Sequence, residues 1–311
     1  MTILYFLESI RNPVLDFLFS IITLFGDETI FMALGMIIFW CANKYHGYFL
    51  LCTCFVGTII NQFLKIVCRV PRPWVKDPNF TIVESAREAA TGYSFPSGHT
   101  QTSVGLFGGI ARCCSSKIIR IVAIAFCVLV PLSRMYLGVH TPLDVVVSVC
   151  IALILIFVGY PLFEKANSSP KIMYIVLLSL TVITVAYTVF VFVYPFPENI
   201  DTHNLESAHK NAATLCGCML GLIVVYTVDE KWIRFDTNAV WWVQIIKAVG
   251  GIALVLAAKE LLRAPLDVLF QGSLIARGVR YFIIVLVGGI IWPICFKYLC
   301  KLTLTKNKEK N

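Results

Sequence analysis

Long runs of apolar residues dominate this chain of 311 residues and restrict what it can fold into. Hydrophobic residues make up 58% of the sequence and charged residues 14%, whereas a soluble domain usually has about 25% charged residues. A helix needs about 20 apolar residues to span a bilayer. Nine runs approach that length, near 28–43, 46–67, 98–114, 117–135, 142–162, 171–194, 207–227, 239–261 and 278–299. The chain is therefore predicted to be an all-α, polytopic membrane bundle with about nine transmembrane helices.

The basic residues predict how these helices are oriented. Lys and Arg are concentrated in one set of loops, at 43–47, 112–120, 163–171 and 229–236, and in the C-terminal tail. The loop at 194–207 on the other side has three acidic residues and no Lys or Arg. Because basic loops stay in the cytoplasm, the C-terminus is expected to be cytoplasmic. The polar segments at 65–98 and 134–141 are then expected on the outer side.

Three polar motifs interrupt the apolar runs, and all three fall on that outer side. Their chemically reactive and anion-binding residues are Lys65 and Arg72 in "KIVCRVPRP", Ser97, Gly98 and His99 in "PSGH", and Arg134, His140 and Asp144 in "SRMYLGVHTPLD". The spans alternate in direction, and this alternation brings three separate loops to one membrane face. The motifs are therefore candidates for a single site.

Taken singly, each motif also has a structural interpretation. Lys65 and Arg72 could contact lipid headgroups as an interfacial basic cluster. Arg134 could extend its guanidinium to water from a helix end. Asp144 follows Thr141 by three residues, which is the spacing of a capping box at a helix start. A lone histidine at a membrane surface is more often an ordinary hydrogen-bonded side chain.

Together, the motifs fit one chemical need, which is to bind and cleave a phosphate ester. Each cation within about 4 Å of a phosphate contributes on the order of 4 kcal/mol at an effective dielectric near 20. The three cations and the helix-terminal N–H groups at 97–99 would form such a cradle. Two histidines can supply a nucleophile and a proton donor, and Asp144 can hold one ring nitrogen of His140. No metal-binding or cofactor motif is present, so the chemistry is expected to need neither.

This combination resembles the signature of the type 2 phosphatidic acid phosphatase (PAP2) superfamily. That signature is Lys-x6-Arg-Pro, then Pro-Ser-Gly-His, then Ser-Arg-x5-His-x3-Asp. All eleven specified residues are present here, in order and at the required spacings. The resemblance extends over roughly residues 28–165 and is much weaker beyond them.

The resemblance implies a fold, a location and a role for each motif residue. It implies a helical bundle whose site lies at the membrane–water boundary on the extracytoplasmic or lumenal side. His140 would be the nucleophile that forms a phosphohistidine, Asp144 would orient and activate it, and His99 would protonate the leaving group. The phosphoryl oxygens would be bound by Lys65, Arg72, Ser97, Gly98 and Arg134.

The expected domain organisation has four parts. Residues 1–27 would form an interfacial N-terminal helix, 28–165 the PAP2-type catalytic core of six helices, 166–300 additional membrane helices, and 301–311 a basic cytoplasmic tail. This long form is somewhat similar to sphingosine-phosphate phosphatases. The outer loop after 194 could contact a substrate headgroup through His203, Asn204 or Lys210, or it could be an ordinary polar loop. The insertion at 74–92 could cover the phosphate.

The sequence therefore predicts an integral-membrane, metal-independent phosphatase that acts on a lipid phosphate or diphosphate. Candidate substrates are an isoprenyl diphosphate, a phosphatidate and a long-chain base phosphate. Membrane lipids would surround the protein, and in a bacterium it would lie in the plasma membrane. Nucleic acid is not expected as a partner, because the basic residues form no soluble stripe. A phosphotransferase or lipid synthase, in which an alcohol accepts the phosphoryl group, remains an alternative on the same scaffold. A non-catalytic lipid-binding protein is disfavoured by the intact His99, His140 and Asp144.

Overall fold

The computed structural model describes residues 1–299, and within that range every regular element is helical. The α-helices are α1 (Thr2–Ser9), α2 (Pro13–Leu24), α3 (Glu28–Cys41), α4 (Lys44–Cys68), α5 (Pro73–Lys76), α6 (Gly98–Ser103), α7 (Gly109–Cys113), α8 (Lys117–Tyr136), α9 (Pro142–Asn167), α10 (Pro170–Val193), α11 (Thr202–Val228), α12 (Trp241–Leu261), α13 (Arg263–Leu269), α14 (Leu274–Leu286) and α15 (Trp292–Ile294). Three π-helical segments, Val104–Gly108, Asp229–Ile233 and Val287–Ile291, continue α6, α11 and α14. The predicted tail at 301–311 lies outside the described residues.

The all-helical, polytopic membrane architecture is confirmed, but the number of clear spans is smaller than nine. Six helical stretches in the described range are long and apolar enough to cross a bilayer, namely Lys44–Lys76, Lys117–Tyr136, Pro142–Asn167, Pro170–Val193, Thr202–Ile233 and Leu274–Leu299. Helices α2 and α3 meet at a bend of 47° and would make a seventh span if they cross together.

The two remaining expected spans are helical but are not among the six. The helix from Gly98 to Cys113 is about 24 Å long at 1.5 Å per residue, which is shorter than a hydrocarbon core of about 30 Å. Helix α12, with 21 residues, is also not among the six. Apolar composition alone therefore predicted more spans than the described helices support by length and hydropathy.

The described residues form two compact units. The first comprises Met1–Met32, Phe49–Leu162 and Pro195–Ala208. The second comprises Ala33–Tyr48, Phe163–Tyr194 and the described residues from His209 onward. All eight residues of the three polar motifs belong to the first unit.

Helix α8 is the central element of the first unit and packs against α1, α2, α6 and α7. At its C-terminal end, the ring of Tyr136 stacks on Phe19 of α2, with 4.3 Å between the ring centroids. The Tyr136 hydroxyl donates a hydrogen bond to Asp16 Oδ1 at 2.7 Å. Leu137 and Val139 are completely buried in the same cluster. The end of α8, which carries Arg134, is therefore held in a fixed position.

Helix α1 holds the insertion at 74–92 on the first unit. The Tyr5 hydroxyl donates to Asp77 Oδ2 at 2.7 Å, and the Glu8 carboxylate accepts from the backbone N–H of Thr81 at 2.9 Å. Arg11 donates to the carbonyl of Thr81 and to that of Tyr136, each at 3.0 Å. The insertion is thus attached both to the N-terminal helix and to the end of α8. That it covers a bound phosphate remains a prediction.

The second unit is built around buried polar and aromatic side chains. Lys44 Nζ and Asp229 Oδ2 form an ion pair at 2.6 Å. The Trp40 indole N–H donates to the carbonyl of Gly288 at 2.9 Å. Helices α11 and α14 approach most closely at Gly217, where a Cβ atom would come within 3.0 Å of the backbone of Gly278. Small residues commonly permit such close approach between membrane helices.

We expect Gly217→Ala to destabilise the protein by about 1–3 kcal/mol, because the added methyl group would overlap a backbone carbonyl that cannot rotate away. Gly105→Ala is the matched control, since a Cβ atom there would only contact Cys54 Sγ at 3.4 Å. Thermal unfolding in detergent should show a lower melting temperature for Gly217→Ala alone. Equal melting temperatures for the two variants would contradict the close approach.

Candidate active site

The three sequence motifs lie at helix ends and are brought together in the first unit. In the first motif, Lys65 lies in the last turn of α4 and Arg72 immediately precedes α5. In the second, Ser97 caps α6 ahead of Gly98 and His99. In the third, Arg134 lies in the last turn of α8, and His140 and Asp144 flank the start of α9. Hydrogen bonds connect the motifs directly. The N–H of Ser97 donates to the carbonyl of Asp144 at 3.2 Å, which joins the second motif to the third.

Arg72 contacts His140 and thereby defines the tautomer of its ring. Arg72 Nη1 lies 3.0 Å from His140 Nε2 and also donates to the carbonyl of Val139 at 3.0 Å. A guanidinium can only donate, so Nε2 must accept and carries the lone pair. In the neutral ring the proton is then on Nδ1, which lies 3.5 Å from Asp144 Oδ2. That distance is too long for a hydrogen bond. The lone pair of the His140 ring is therefore on Nε2, where it faces Arg72.

Asp144 also forms the predicted capping box at the start of α9. Its Oδ2 accepts from the backbone N–H of Thr141 at 2.8 Å, and Thr141 Oγ1 accepts from the N–H of Asp144 at 3.3 Å. The same Oδ2 accepts from the hydroxyl of Ser94 at 2.6 Å. The structural and the catalytic interpretations of Asp144 are therefore compatible, because one carboxylate both caps the helix and faces His140.

Four consecutive residues that the sequence did not single out, Thr91 to Ser94, each bind a motif residue. The carbonyl of Thr91 accepts from Arg72 Nη2 at 2.7 Å, and that of Gly92 accepts from Arg72 Nε at 3.1 Å. The carbonyl of Tyr93 accepts from the ammonium group of Lys65, and Ser94 binds Asp144. Gly92 has a φ of +70°, a left-handed conformation that favours glycine and turns successive carbonyls toward the cations. That glycine, five residues ahead of Ser97, was the available signal.

The three cations are almost completely buried, with relative exposures of 7% for Lys65, 6% for Arg72 and 1% for Arg134. Among residues 1–299, none of the three forms an ion pair with a carboxylate. Arg134 donates to Thr23 Oγ1 at 2.7 Å, and its Nε has no hydrogen-bond partner in the described protein. Buried charges are normally paired, so this concentration of positive charge is suited to bind an anion.

His99 begins α6 beside this cluster and is partly accessible to solvent. A Cβ atom on Gly26 would lie 2.8 Å from His99 Cβ and 2.8 Å from Val130 Cγ1, so the chain after α2 passes directly against this histidine. Because the N–H of Ser97 is occupied by Asp144, the N–H groups of Gly98 and His99 are the ones that the helix start leaves available to an anion.

The three expected headgroup residues, His203, Asn204 and Lys210, all lie in α11. His203 is exposed and Asn204 is half-buried at the start of α11, and the backbone N–H of Asn204 donates to Asp201 Oδ1 at 2.8 Å. Within the described residues neither side chain bonds to a motif residue. Lys210 belongs to the second compact unit. Their role in headgroup binding remains a prediction.

The fold and the site define an integral membrane protein whose helical bundle encloses a cation-rich, histidine-containing centre. Comparison with protein families matches residues 29–168 to the PAP2 superfamily and residues 213–306 to the transmembrane extension of PAP2 superfamily phosphatases. The chain therefore belongs to the PAP2 superfamily. The first match contains every residue of the three motifs.

Individual relatives each match over about half of the chain. It is 31% identical to a probable sphingosine-1-phosphate phosphatase of Dictyostelium discoideum, over 47% of this chain and 38% of the relative. It is 29% identical to undecaprenyl-diphosphatase BcrC of Bacillus subtilis (strain 168), over 48% and 76%. It is 28% identical to sphingosine-1-phosphate phosphatase 2 of Homo sapiens, over 49% and 39%. The chain thus matches less than two-fifths of the length of either sphingosine-1-phosphate phosphatase, and no solved structure matches it.

We expect Ser94→Ala to slow phosphate release from a lipid phosphate by roughly 10- to 100-fold in kcat, because a hydrogen bond to a charged group contributes about 1.5–3 kcal/mol. Without the Ser94 hydroxyl, Asp144 is held on one side only and orients His140 less well. KM should change little, since Ser94 does not contact the cations.

Ser148→Ala provides a matched control for this prediction. Ser148 is also completely buried and also bonds to Asp144, but to its backbone carbonyl, at 2.8 Å. We expect near wild-type kcat for Ser148→Ala and similar melting temperatures for the two variants. Equal losses of kcat in both would mean that Ser94 acts through folding rather than through the carboxylate.

Proposed function

We propose that this chain is a membrane phosphatase that hydrolyses a lipid phosphate or diphosphate through a phosphohistidine intermediate, without a metal ion. The observation that carries the proposal is the buried cluster of Lys65, Arg72 and Arg134, which forms no ion pair with a carboxylate within the described range and contacts the lone pair of His140 through Arg72. The nearly two negative charges of a phosphate monoester would complement it. Membership of the PAP2 superfamily supports the same reaction.

In the proposed first step, His140 Nε2 attacks phosphorus. Arg72, which donates to Nε2 in the structure, would shift its hydrogen bond to a phosphoryl oxygen and release the lone pair. As the P–N bond forms, the P–O bond to the lipid breaks, and the departing oxygen takes a proton from His99. Asp144 stabilises the positive charge that develops on the His140 ring. The cations and the N–H groups of 98–99 stabilise the charge on the transferring phosphoryl group.

In the proposed second step, water enters from the side that the lipid oxygen has left. His99, now neutral, takes a proton from water while the oxygen attacks phosphorus and the P–N bond breaks. Inorganic phosphate leaves, and His140 returns to its neutral form. The step uses the same groups in reverse order, so no further catalytic residue is required.

The relatives and the loop charges support a choice of substrate class and membrane side. The named relatives act on a sphingoid-base phosphate or an isoprenyl diphosphate, and both are phosphorylated lipids with a single long apolar part. The membrane side that carries the basic loops at 43–47, 112–120, 163–171 and 229–236 is expected to be cytoplasmic. The active site would then face the extracytoplasmic or lumenal side.

The test is phosphate release by the detergent-purified protein in the presence of EDTA. The substrates are an isoprenyl diphosphate, a phosphatidate and a long-chain base phosphate. We expect release from at least one of them and a loss of roughly a thousandfold or more in His140→Ala. His209→Ala is the matched control, because its ring bonds only to the carbonyl of Val191, at 3.1 Å, in the second unit.

Each of the other outcomes would overturn a different part of the proposal. Activity lost on adding EDTA would overturn the metal independence. Transfer of labelled phosphoryl group to an added alcohol in preference to water would favour the phosphotransferase. No turnover of any lipid by folded protein would overturn the enzyme as proposed.

The two histidines predict a shift of the pH optimum between the free enzyme and the substrate complex. Both lie outside the six spans, and burial, together with the nearby arginines and Lys65, holds the pKa of each well below its ordinary value of 6.5. His140 must lose its proton to attack, so the rate rises with pH through its pKa. His99 must keep its proton to donate, so the rate falls through its pKa. We therefore expect a bell-shaped kcat/KM with its optimum below pH 6.5.

Bound phosphate offsets the charge of the cations and raises both pKa values in the complex. The descending limb of kcat should therefore lie at higher pH than the descending limb of kcat/KM. His99→Ala should remove the descending limb. The measurement is a pair of pH–rate profiles at low and saturating substrate, and a flat profile from pH 4 to 9 would contradict the assignment of both histidines.

A further inference from the structure

Helices α4 and α6 face each other through two pairs that each match a glycine with an amide side chain. Gln101 of α6 lies over Gly57 of α4, so closely that a Cβ atom on Gly57 would come within 3.0 Å of it. Asn61 of α4 lies beside Gly98 of α6. Asn61 follows Gly57 by one helical turn and precedes Lys65 by one turn, so all three lie on one face of α4.

Both amide side chains are buried without hydrogen-bond partners in the described protein. Asn61 and Gln101 are each 1% exposed, and the oxygen and nitrogen of both amides are unpaired. The hydroxyl of Thr100, next to Gln101, is also buried and unpaired. Buried amides are nearly always hydrogen-bonded, because leaving them unpaired costs stability. Such groups indicate a bound molecule, either a ligand or an ordered water, that completes their hydrogen bonds.

Asn61 points to the open side of Gly98, at the edge of the phosphate site. Of the described residues outside the helix itself, only Asn61 has an atom within 4 Å of the position that a Cβ atom on Gly98 would take, and its Oδ1 is 3.9 Å away. Gly98 directly precedes His99, the proposed proton donor to the departing oxygen. A group bound by Asn61 would therefore lie next to the oxygen that leaves or enters.

The chemistry of these side chains selects the ligand. Two amides and a hydroxyl offer both donors and acceptors and carry no charge, so they suit a neutral hydroxyl group rather than a second phosphate. We infer that Asn61, with Gln101, forms a hydroxyl-binding subsite beside the phosphoryl site. This inference rests on the proposed function. The hydroxyl belongs either to the lipid, next to its phosphoester, or to the water that resolves the phosphohistidine.

Two substrates of equal chain length distinguish these sources in Asn61→Leu and Gln101→Leu. One is a long-chain base phosphate, which has a hydroxyl and an amine near the phosphoester, and the other is a simple alkyl phosphate, which has neither. If the subsite binds the lipid hydroxyl, kcat/KM for the base phosphate should fall about tenfold or more while that for the alkyl phosphate stays within about threefold. If it binds water, kcat should fall about tenfold for both substrates while kcat/KM is retained, because water enters after the first irreversible step.

Stability separates this inference from a structural role. Leucine is similar in size to both amides and removes unpaired polar atoms, so the variants should melt at the wild-type temperature or above it. Ser103→Ala is the control, since Ser103 is also buried in α6 but bonds within its own helix, to the carbonyl of Thr100 at 3.2 Å. It should keep wild-type kinetics on both substrates.

Two results would overturn the subsite. One is unchanged kcat and kcat/KM on both substrates in both leucine variants. The other is a lower melting temperature that accounts for the lost activity. If the wild-type protein hydrolyses neither lipid, the proposed function fails. The subsite is then tested separately, by binding of the base phosphate. In that case thermal stabilisation by the base phosphate, measured on His140→Ala with and without Asn61→Leu, should be weaker in the double variant, and equal stabilisation would overturn the subsite.

Discussion

The candidate active site depends on the burial of three cations, none of which forms an ion pair with a carboxylate among residues 1–299. Lys65, Arg72 and Arg134 are each at least nine-tenths buried, and removing a charge from water costs several kcal/mol per ion even after the protein relaxes. Neutral oxygens offset part of that cost: the carbonyls at 91–93 and of Val139, and the hydroxyl of Thr23. These dipoles hold the cations in place without cancelling their charge. The positive potential therefore remains available to an anion. The turn at 91–94 makes this possible, because it directs its carbonyl oxygens at Lys65 and Arg72.

Asp144 shows how one side chain can serve the fold and the chemistry together. A helix start needs an acceptor for its free N–H groups, and His140 needs a carboxylate beside Nδ1. Because His140 and Asp144 are four residues apart at the start of α9, the carboxylate of Asp144 can both cap the helix and lie beside the His140 ring. The hydroxyl of Ser94 then approaches from a different segment and fixes the carboxylate between the two. The cap is therefore present, and the same arrangement is compatible with the proposed catalytic role of Asp144.

Much of the fold and most of the candidate site could be predicted from the sequence, and the exceptions have physical reasons. The motif residues from Lys65 to Asp144 and the helices that carry them follow from spacing and apolar periodicity. The sequence predicted about nine spans and the structure has six clear ones, partly because the segment from Gly98 to Cys113 is apolar in composition but shorter than a bilayer core. Ser94 and Thr23 carried no signal, since a lone hydroxyl residue has the same appearance in a turn, a helix or a site. Asn61 did carry one, because it is a polar amide one turn before Lys65 in a mostly apolar helix.

Local information therefore specified the all-helical membrane architecture, the helix starts at Ser97 and Thr141, and the residue types available for phosphate chemistry. These features depend on contacts within a few residues, such as apolar periodicity, capping and the i, i+4 spacing of His140 and Asp144. Tertiary contacts selected the partners of those residues. Ser94 meets Asp144 across 50 positions and Arg134 meets Thr23 across 111. Such pairs form because burying a charge or carboxylate requires hydrogen-bond partners from whichever helices pack around it, and that packing is a property of the folded chain as a whole.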